Sequence, residues 1–418
     1  MSSDAIIEEE HTPPDNVGTA VPASKWRRWL FAFDGYNLST NMLFTSAIWV
    51  IYLASHGYSP LAIGLFEMTF HVAKLVAEVP TGIFADLLGR RKSLIVFCVL
   101  GALENLLFLL PTAPVITLSF VLSGISLAFR GGANEAMLWT IAGYVEPGEQ
   151  SKRYSKLVSR MFMLGLVGEI IGTATGGYLG HILQILPFIC RAALTALGII
   201  PLLLLPEQRA ETSHRTNPWQ HLGKGLGVVG RNPGLLRLLL LSGLTDSCWQ
   251  TIYFYYQLYL HGQGFSLTVI GLVVAASTGS SFLFTALAPL VMHYLPEHWL
   301  VPVFVLLEIL GLLLMSLPQP ILSLIGYLVL FQASVAVLMP AISTYVNERS
   351  SEAQRATILS FQTGLFSAAM IVLFPLFGLG VSHVPYSTVY TWTLEALAIG
   401  SLVIYAITWM VQKRRAQG

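Results

Sequence analysis

Charge is what this 418-residue chain has least of: Asp, Glu, Lys and Arg together make 11% of it, against 54% hydrophobic residues. So low a charge, with a mean hydropathy of +0.67, excludes an ordinary water-soluble composition and makes lipid the solvent. Cysteine is nearly as scarce. Cys98, Cys190 and Cys248 stand alone in apolar segments, which excludes a disulfide framework and a cysteine metal site and predicts free, buried thiols. No glycine loop ending in Gly-Lys-Ser/Thr occurs, and no polar segment is long enough for an ATPase domain, so energy from bound nucleotide is excluded. HExxH and GxSxG sequences and clustered metal ligands are missing too, which argues against an enzyme; no cofactor, metal or nucleic-acid partner is expected.

What fills the chain instead is a series of apolar stretches of about 20 residues, the length that crosses a hydrocarbon core of roughly 30 Å at about 1.5 Å per residue. Spans are expected over 28–53, 61–84, 93–112, 115–141, 157–180, 187–205, 235–260, 268–294, 300–317, 321–346, 356–382 and 387–411. The alternation of barrel strands is missing, and backbone groups in lipid must bond internally. The expected fold class is therefore an all-α membrane protein with twelve transmembrane helices. Ahead of the first span, Met1 to Ser24 carries Glu8, Glu9, Glu10 and several prolines, unlike the basic opening of a signal peptide, and reads as a disordered cytoplasmic tail.

The net charge of +1 hides a segregation. Lys25, Arg27 and Arg28 precede the first span; Arg90, Arg91 and Lys92 follow the second; Lys152, Arg153, Lys156 and Arg160 follow the fourth. Arg209, Arg215, Lys224, Arg231 and Arg237 occupy the central connection, Arg349 and Arg355 follow the tenth span, and Lys413 to Arg415 follow the last. Basic residues in alternate loops place those loops, and both termini, in the cytoplasm. Lys74, Arg130 and Arg191 fall outside the set.

Tyr52-Leu53 through Gly57, Ser59, Ile63, Gly64 and Leu65 reappears in register as Tyr259-Leu260, Gly264, Ser266, Ile270, Gly271 and Leu272, 207 residues on. A looser echo pairs Tyr144-Val145 with Tyr345-Val346. The chain thus reads as a six-helix unit used twice: bundles over 25–205 and 235–412, joined by a linker over 206–234 in which His221 to Val229 looks like an interfacial helix, with a short tail over 413–418. Two such halves with a cavity between them suit alternating access.

Between spans two and three stands Gly82-Ile83-Phe84-Ala85-Asp86-Leu87-Leu88-Gly89-Arg90-Arg91-Lys92, which resembles the signature loop of the major facilitator superfamily. Glycines suit a tight turn there, while Asp86, Arg90 and Arg91 suit a charge network that latches one state. Upstream, Glu78-Val79-Pro80-Thr81-Gly82 resembles a variant from a bacterial, drug-efflux-like branch. In span five, Gly168, Gly172, Gly176 and Gly177 are similar to the superfamily's antiporter motif, with Thr173 where proline is usual; close helix packing alone would also account for them. Arg130, in Arg130-Gly131-Gly132-Ala133-Asn134-Glu135, resembles the arginine motif of span four, with a coupling role or an ion pair to Glu135 or Glu104 as its two readings.

Glu67, His71, Lys74 and Glu78 share one face of span two, which suits either a proton relay or a self-compensating ladder. Other intramembrane acids are Asp34, Glu104, Glu169, Asp246, Glu308 and Glu395. The resemblance implies that spans one and seven line the cavity, so Asp34 and Asp246 are the first coupling candidates, and that Glu308 and Glu395, on peripheral spans, sit near an interface or a helix contact. Tyr36, Asn37, Asn41 and Trp49 on span one, and Trp249, Gln250, Tyr253, Tyr256 and Gln257 on span seven, are candidates for a substrate wall, with an interfacial belt as the alternative for Trp49 and Tyr259. The expected function is proton-coupled efflux of small amphipathic or hydrophobic compounds by a monomer in the plasma membrane. The alternatives are a proton-coupled nutrient importer and a non-transporting sensor or assembly factor on the same scaffold.

Overall fold

The structure, a computed structural model, describes residues 21–145, 150–206, 232–295, 297–349 and 352–417. Most of the expected tail before span one, and nearly all of the expected linker with its interfacial helix, lie outside the described residues. Within them every regular element is helical. In chain order they form twelve spans: Ala23–Asn41 with Trp49–Ser55, Pro60–Leu88, Arg90–Leu107, Ala113–Arg130 with Ala133–Val145, Gln150–Ile182, and Leu186–Leu197 with Ile199–Leu202; then Pro233–Gly262, Leu267–Tyr294, Glu297–Ser316, Pro320–Ile325 running through Gly326–Phe331 into Gln332–Arg349, Glu352–His383, and Tyr386–Gln417. Large apolar side chains such as Phe31, Val76, Ile321 and Leu402 stand exposed around the outside, which only a lipid environment tolerates.

The repeat is visible in backbone detail. Gly57 and Gly264 both take positive φ, 87° and 86°, and Ser59 and Ser266 both cap the next helix by accepting from the third amide on, Ala62 and Val269. These pairs keep the 207-residue offset. Close approaches repeat as well: Gly64 of span two lies against Phe374 and Pro375 of span eleven, and Gly271 of span eight against Thr173 and Gly177 of span five. A methyl group at Gly271 would sit 2.7 Å from the Gly177 backbone, so these crossings admit no side chain.

Two expectations need correction. Span one is not a continuous helix over 28–53: residues 42–48 form irregular turns between its two segments. The signature segment is not an open loop either. Gly82 to Leu88 continue the helix of span two, and the turn is made by Gly89 alone, at φ 102°, before Arg90 starts span three. Span four also breaks, at Gly131 and Gly132, the latter at φ 69°.

One apolar cluster comes entirely from residues between Trp29 and Leu205 and another from residues between Leu235 and Ile358. The largest joins both sets at the ends of the spans where the loops lack Lys and Arg. There Trp49 packs on Phe254 (5.0 Å between ring centroids) and Phe374 (6.3 Å), and the Tyr255 hydroxyl donates to the Pro60 carbonyl (2.8 Å). Trp49 is thus a buried core residue, not part of an interfacial belt. Cys98 and Cys248 are buried free thiols, and Cys190 is a partly buried one.

Candidate functional site

Below that closed end lies a cavity of about 450 Å³, bounded by spans one, two, three, four and six and, across from them, by Gln250 and Phe254 of span seven and Phe366 of span eleven. Its walls are aromatic, with Trp49, Phe97, Phe108, Phe120 and Phe254 among them, and two groups of polar side chains interrupt them. A larger groove of about 670 Å³ lies between spans seven, eleven and twelve; apart from Thr251, Thr393 and His383 its polar content is slight, and Leu376 and Trp392 on its rim face outward.

The first polar group surrounds the break in span one. Arg191 Nη1 donates to the Thr40 carbonyl (2.6 Å), which the interrupted helix leaves without an amide, and to the Met42 carbonyl (3.1 Å), which also accepts from the Phe44 amide (3.0 Å). Arg130 Nη2 donates to Asn41 Oδ1 (3.0 Å), and its guanidinium lies 5.4 Å from the Phe97 ring centroid. The ion pair of Arg130 with Glu135 or Glu104 is not formed; among the described residues neither Arg130 nor Arg191 has a carboxylate within 4.0 Å. Glu104, near enough to Arg191 to feel its charge, accepts from Asn105 Nδ2 (3.2 Å).

The second group is on span two. His71 Nε2 is 3.5 Å from Glu67 Oε1, and both side chains are buried. The His71 ring packs edge-on against Phe70 and, from span eleven, Phe366. Lys74 also lines the cavity, whereas Glu78, one helical turn further on, does not. Glu67, His71 and Arg130 are therefore the coupling candidates that the fold brings to one cavity.

The remaining candidates go elsewhere. Asp34, mostly buried and away from the cavity, accepts at 2.5 Å from Nη2 of the half-exposed Arg160. Glu135 sits in the first turn of the second segment of span four, and Glu169 accepts from Thr278 of span eight (3.3 Å). Asp246 is buried near Glu308, each with one oxygen lacking a hydrogen bond; Glu308 is fully enclosed in a helix contact, accepting from Ser334 of span ten (3.4 Å), and Glu395 is the one of the two that faces outward.

Of the proposed substrate wall, Asn41, Trp49 and Gln250 line the cavity. Tyr36 donates to Asn134 Oδ1 (3.1 Å) and Asn37 Nδ2 to the Met161 carbonyl (2.8 Å), which ties span one to spans four and five. Trp249 Nε1 donates to Gln332 Oε1 (3.1 Å), Tyr256 meets Ser323 (3.0 Å), and Tyr253 and Gln257 contact Ser46. These are structural contacts.

In the signature segment Arg90 Nη1 donates to the Ala136 carbonyl (3.0 Å) and Thr140 Oγ1 (3.1 Å), and Arg91 Nη1 to the Leu205 carbonyl (3.1 Å). Asp86 is exposed and, among the described residues, makes no ion pair within 4.0 Å, so the expected latch to Arg90 is open here. Gly82 has open space around it, and the conformational work belongs to Gly89. Gly168, Gly172 and Gly176 seat the span-one stretch from Leu38 to Phe44 against span five, while Gly177 meets Gly271. The glycine motif thus packs the broken part of span one.

A family model described as Major Facilitator Superfamily matches residues 35–375. The chain is 26% identical to the uncharacterized MFS-type transporter YxaM of Bacillus subtilis (strain 168), over 55% of this chain and 58% of that protein. It is 25% identical to the quinolone resistance protein NorA of Staphylococcus aureus (strain MRSA252), over 50% of this chain and 53% of that protein. The chain therefore spans about half the length of these curated relatives. Its fold is similar to solved structures of the nucleoside transporter NupG (TM-score 0.70, 15% identity, 92% of this chain and 99% of that one) and of the D-xylose-proton symporter (0.68, 16%, 92% and 95%). It is also similar to a bacterial homolog of the human lysosomal transporter Spinster in an inward-facing, unoccupied conformation (0.69, 16%, 93% and 96%).

Proposed function

The chain belongs to the Major Facilitator Superfamily and is a membrane-embedded transporter of small molecules, not an enzyme; from that premise we propose that it exports amphipathic organic compounds in exchange for protons. The observation that carries this reading is the placement of Glu67 and His71, 3.5 Å apart, in the wall of an aromatic cavity. A proton on this pair and a substrate in the cavity share one space. A substrate end that donates hydrogen bonds or carries positive charge, set against Glu67, competes with that proton, and competition of this kind yields exchange.

The architecture supports alternating access between halves at 25–205 and 235–412. The contacts of Trp49, Phe254, Phe374, Tyr255 and Pro60 close the cavity at the end whose loops lack basic residues. By the positive-inside pattern that end is external, both termini are cytoplasmic, and the state is inward-facing. The membrane is the plasma membrane, and the cavity is complete within one chain, which suits a monomer. Similarity to a quinolone resistance protein supports the export direction. The test is purified protein in liposomes enclosing a pH-sensitive dye: added substrate should drive proton movement opposite to its own, and movement in the same direction would replace export with import.

A further inference from the structure

We infer that the cavity binds the anionic group of its substrate at Arg130 and Arg191, so that the transported compounds are amphipathic organic anions or zwitterions, with a carboxylate as the fitting group. This rests on the reading of the cavity as the transport site.

The charges that line the cavity do not balance. Lys74, Arg130 and Arg191 face it, against Glu67 and Glu104. Glu67 is engaged with His71, and Lys74 has Glu78 beside it on the next turn. Neither arginine has a carboxylate within 4.0 Å among the described residues. A guanidinium at this depth is costly to hold charged unless an opposing charge offsets the lost hydration. The direct partners are Asn41 and the carbonyls of Thr40 and Met42, which are dipoles and not charges, and Glu104 acts on Arg191 only from beyond 4.0 Å.

Donors remain for a ligand. A guanidinium carries five N–H groups, and the hydrogen bonds of Arg130 to protein use Nη2 alone, while those of Arg191 use Nη1 alone. A planar fork of this kind matches a carboxylate through two parallel bonds. Trp49, Phe120 and Phe254 pack edge to face nearby, 5.4 Å and 5.0 Å between ring centroids, and offer an apolar body a place to lie. A charged head and an aromatic body together describe an amphipathic anion.

The experiment measures equilibrium binding of 2-naphthoate and of its neutral isostere 2-naphthamide to the purified full chain in detergent, with chloride and inorganic phosphate as competitors. The expected result is naphthoate binding at least tenfold tighter than naphthamide, a preference abolished in Arg130→Gln and partly kept in Arg130→Lys, with naphthamide affinity unchanged throughout. Equal binding of acid and amide, or a preference that survives Arg130→Gln in protein with an unaltered unfolding temperature, overturns the inference alone. Displacement of naphthoate by millimolar chloride or phosphate, with the ring adding nothing, makes the site one for inorganic anions and also overturns it. If neither naphthalene compound binds, the cavity is not the substrate site, and the inference falls with the proposed function.

Discussion

The hydroxyl of Ser46 lies 3.1 Å from that of Tyr253, and the two residues are 207 positions apart, the same offset that relates Gly57 to Gly264 and Ser59 to Ser266. Equivalent positions of the two repeats thus touch each other, which is what residues beside a pseudo-two-fold axis must do. The contact sits at the closed end of the cavity, where Gln257 also donates to the Ser46 carbonyl (3.0 Å).

Gly177→Leu or Gly271→Leu should prop this end open, because each side chain would enter space held by the other helix's backbone. A cysteine at Ser46, half-buried between repeats in the wild type, should then react at least tenfold faster with an impermeant maleimide added from outside. Unchanged labelling would mean that the glycine crossing does not govern closure.

Arg191→Ala should lower the unfolding temperature markedly. It removes the donor to the Thr40 and Met42 carbonyls and leaves the Thr40 acceptor unsatisfied, at about 1–3 kcal/mol, while Met42 keeps the Phe44 amide. Thermal unfolding in detergent checks this, and stability within error of the wild type would remove the capping role.

Asp34→Asn should keep proton coupling and cost about 1 kcal/mol or less, since Arg160 is a half-exposed partner and solvent screens the pair. Lost coupling in this variant would return Asp34 to the mechanism.

Asp246→Asn and Glu308→Gln should each leave the unfolding temperature unchanged or raise it. Two adjacent buried acids, each with an oxygen lacking a hydrogen bond, strain the fold, and a neutral isostere relieves that burden. A large drop in either variant would mean that a cation or shared proton holds the pair together.

The twelve spans and the repeat were legible in the sequence because they rest on local signals: apolar length, and a serine cap after a glycine turn. The break in span one was not. Met42 to Ile48 contains neither glycine nor proline, and its irregular backbone is held by Arg191, some 150 residues later in the chain. Arg191 had one legible mark, its place among three basic residues outside the loops. Span seven shows a second failure, one of depth as well as face. Gln250 and Phe254 line the cavity, while Trp249, Tyr253 and Tyr256 turn to contacts with spans one and ten, and Gln257, on the face of Gln250 but two turns on, meets Ser46 at the closed end. Polar and aromatic character on that helix does not reveal which face meets the cavity, because buried helix contacts in a membrane protein use the same residues.

In the proposed exchange the Glu67–His71 pair in the cavity carries the proton. The most direct measurement is substrate-driven proton flux in liposomes containing wild type, Glu67→Gln or His71→Gln, with substrate binding measured on the same preparations. Flux is expected in the wild type and lost in both variants while binding stays measurable, weakened most in Glu67→Gln, because the arginines and the aromatic wall are kept. Wild-type flux in both variants would contradict the pair's role.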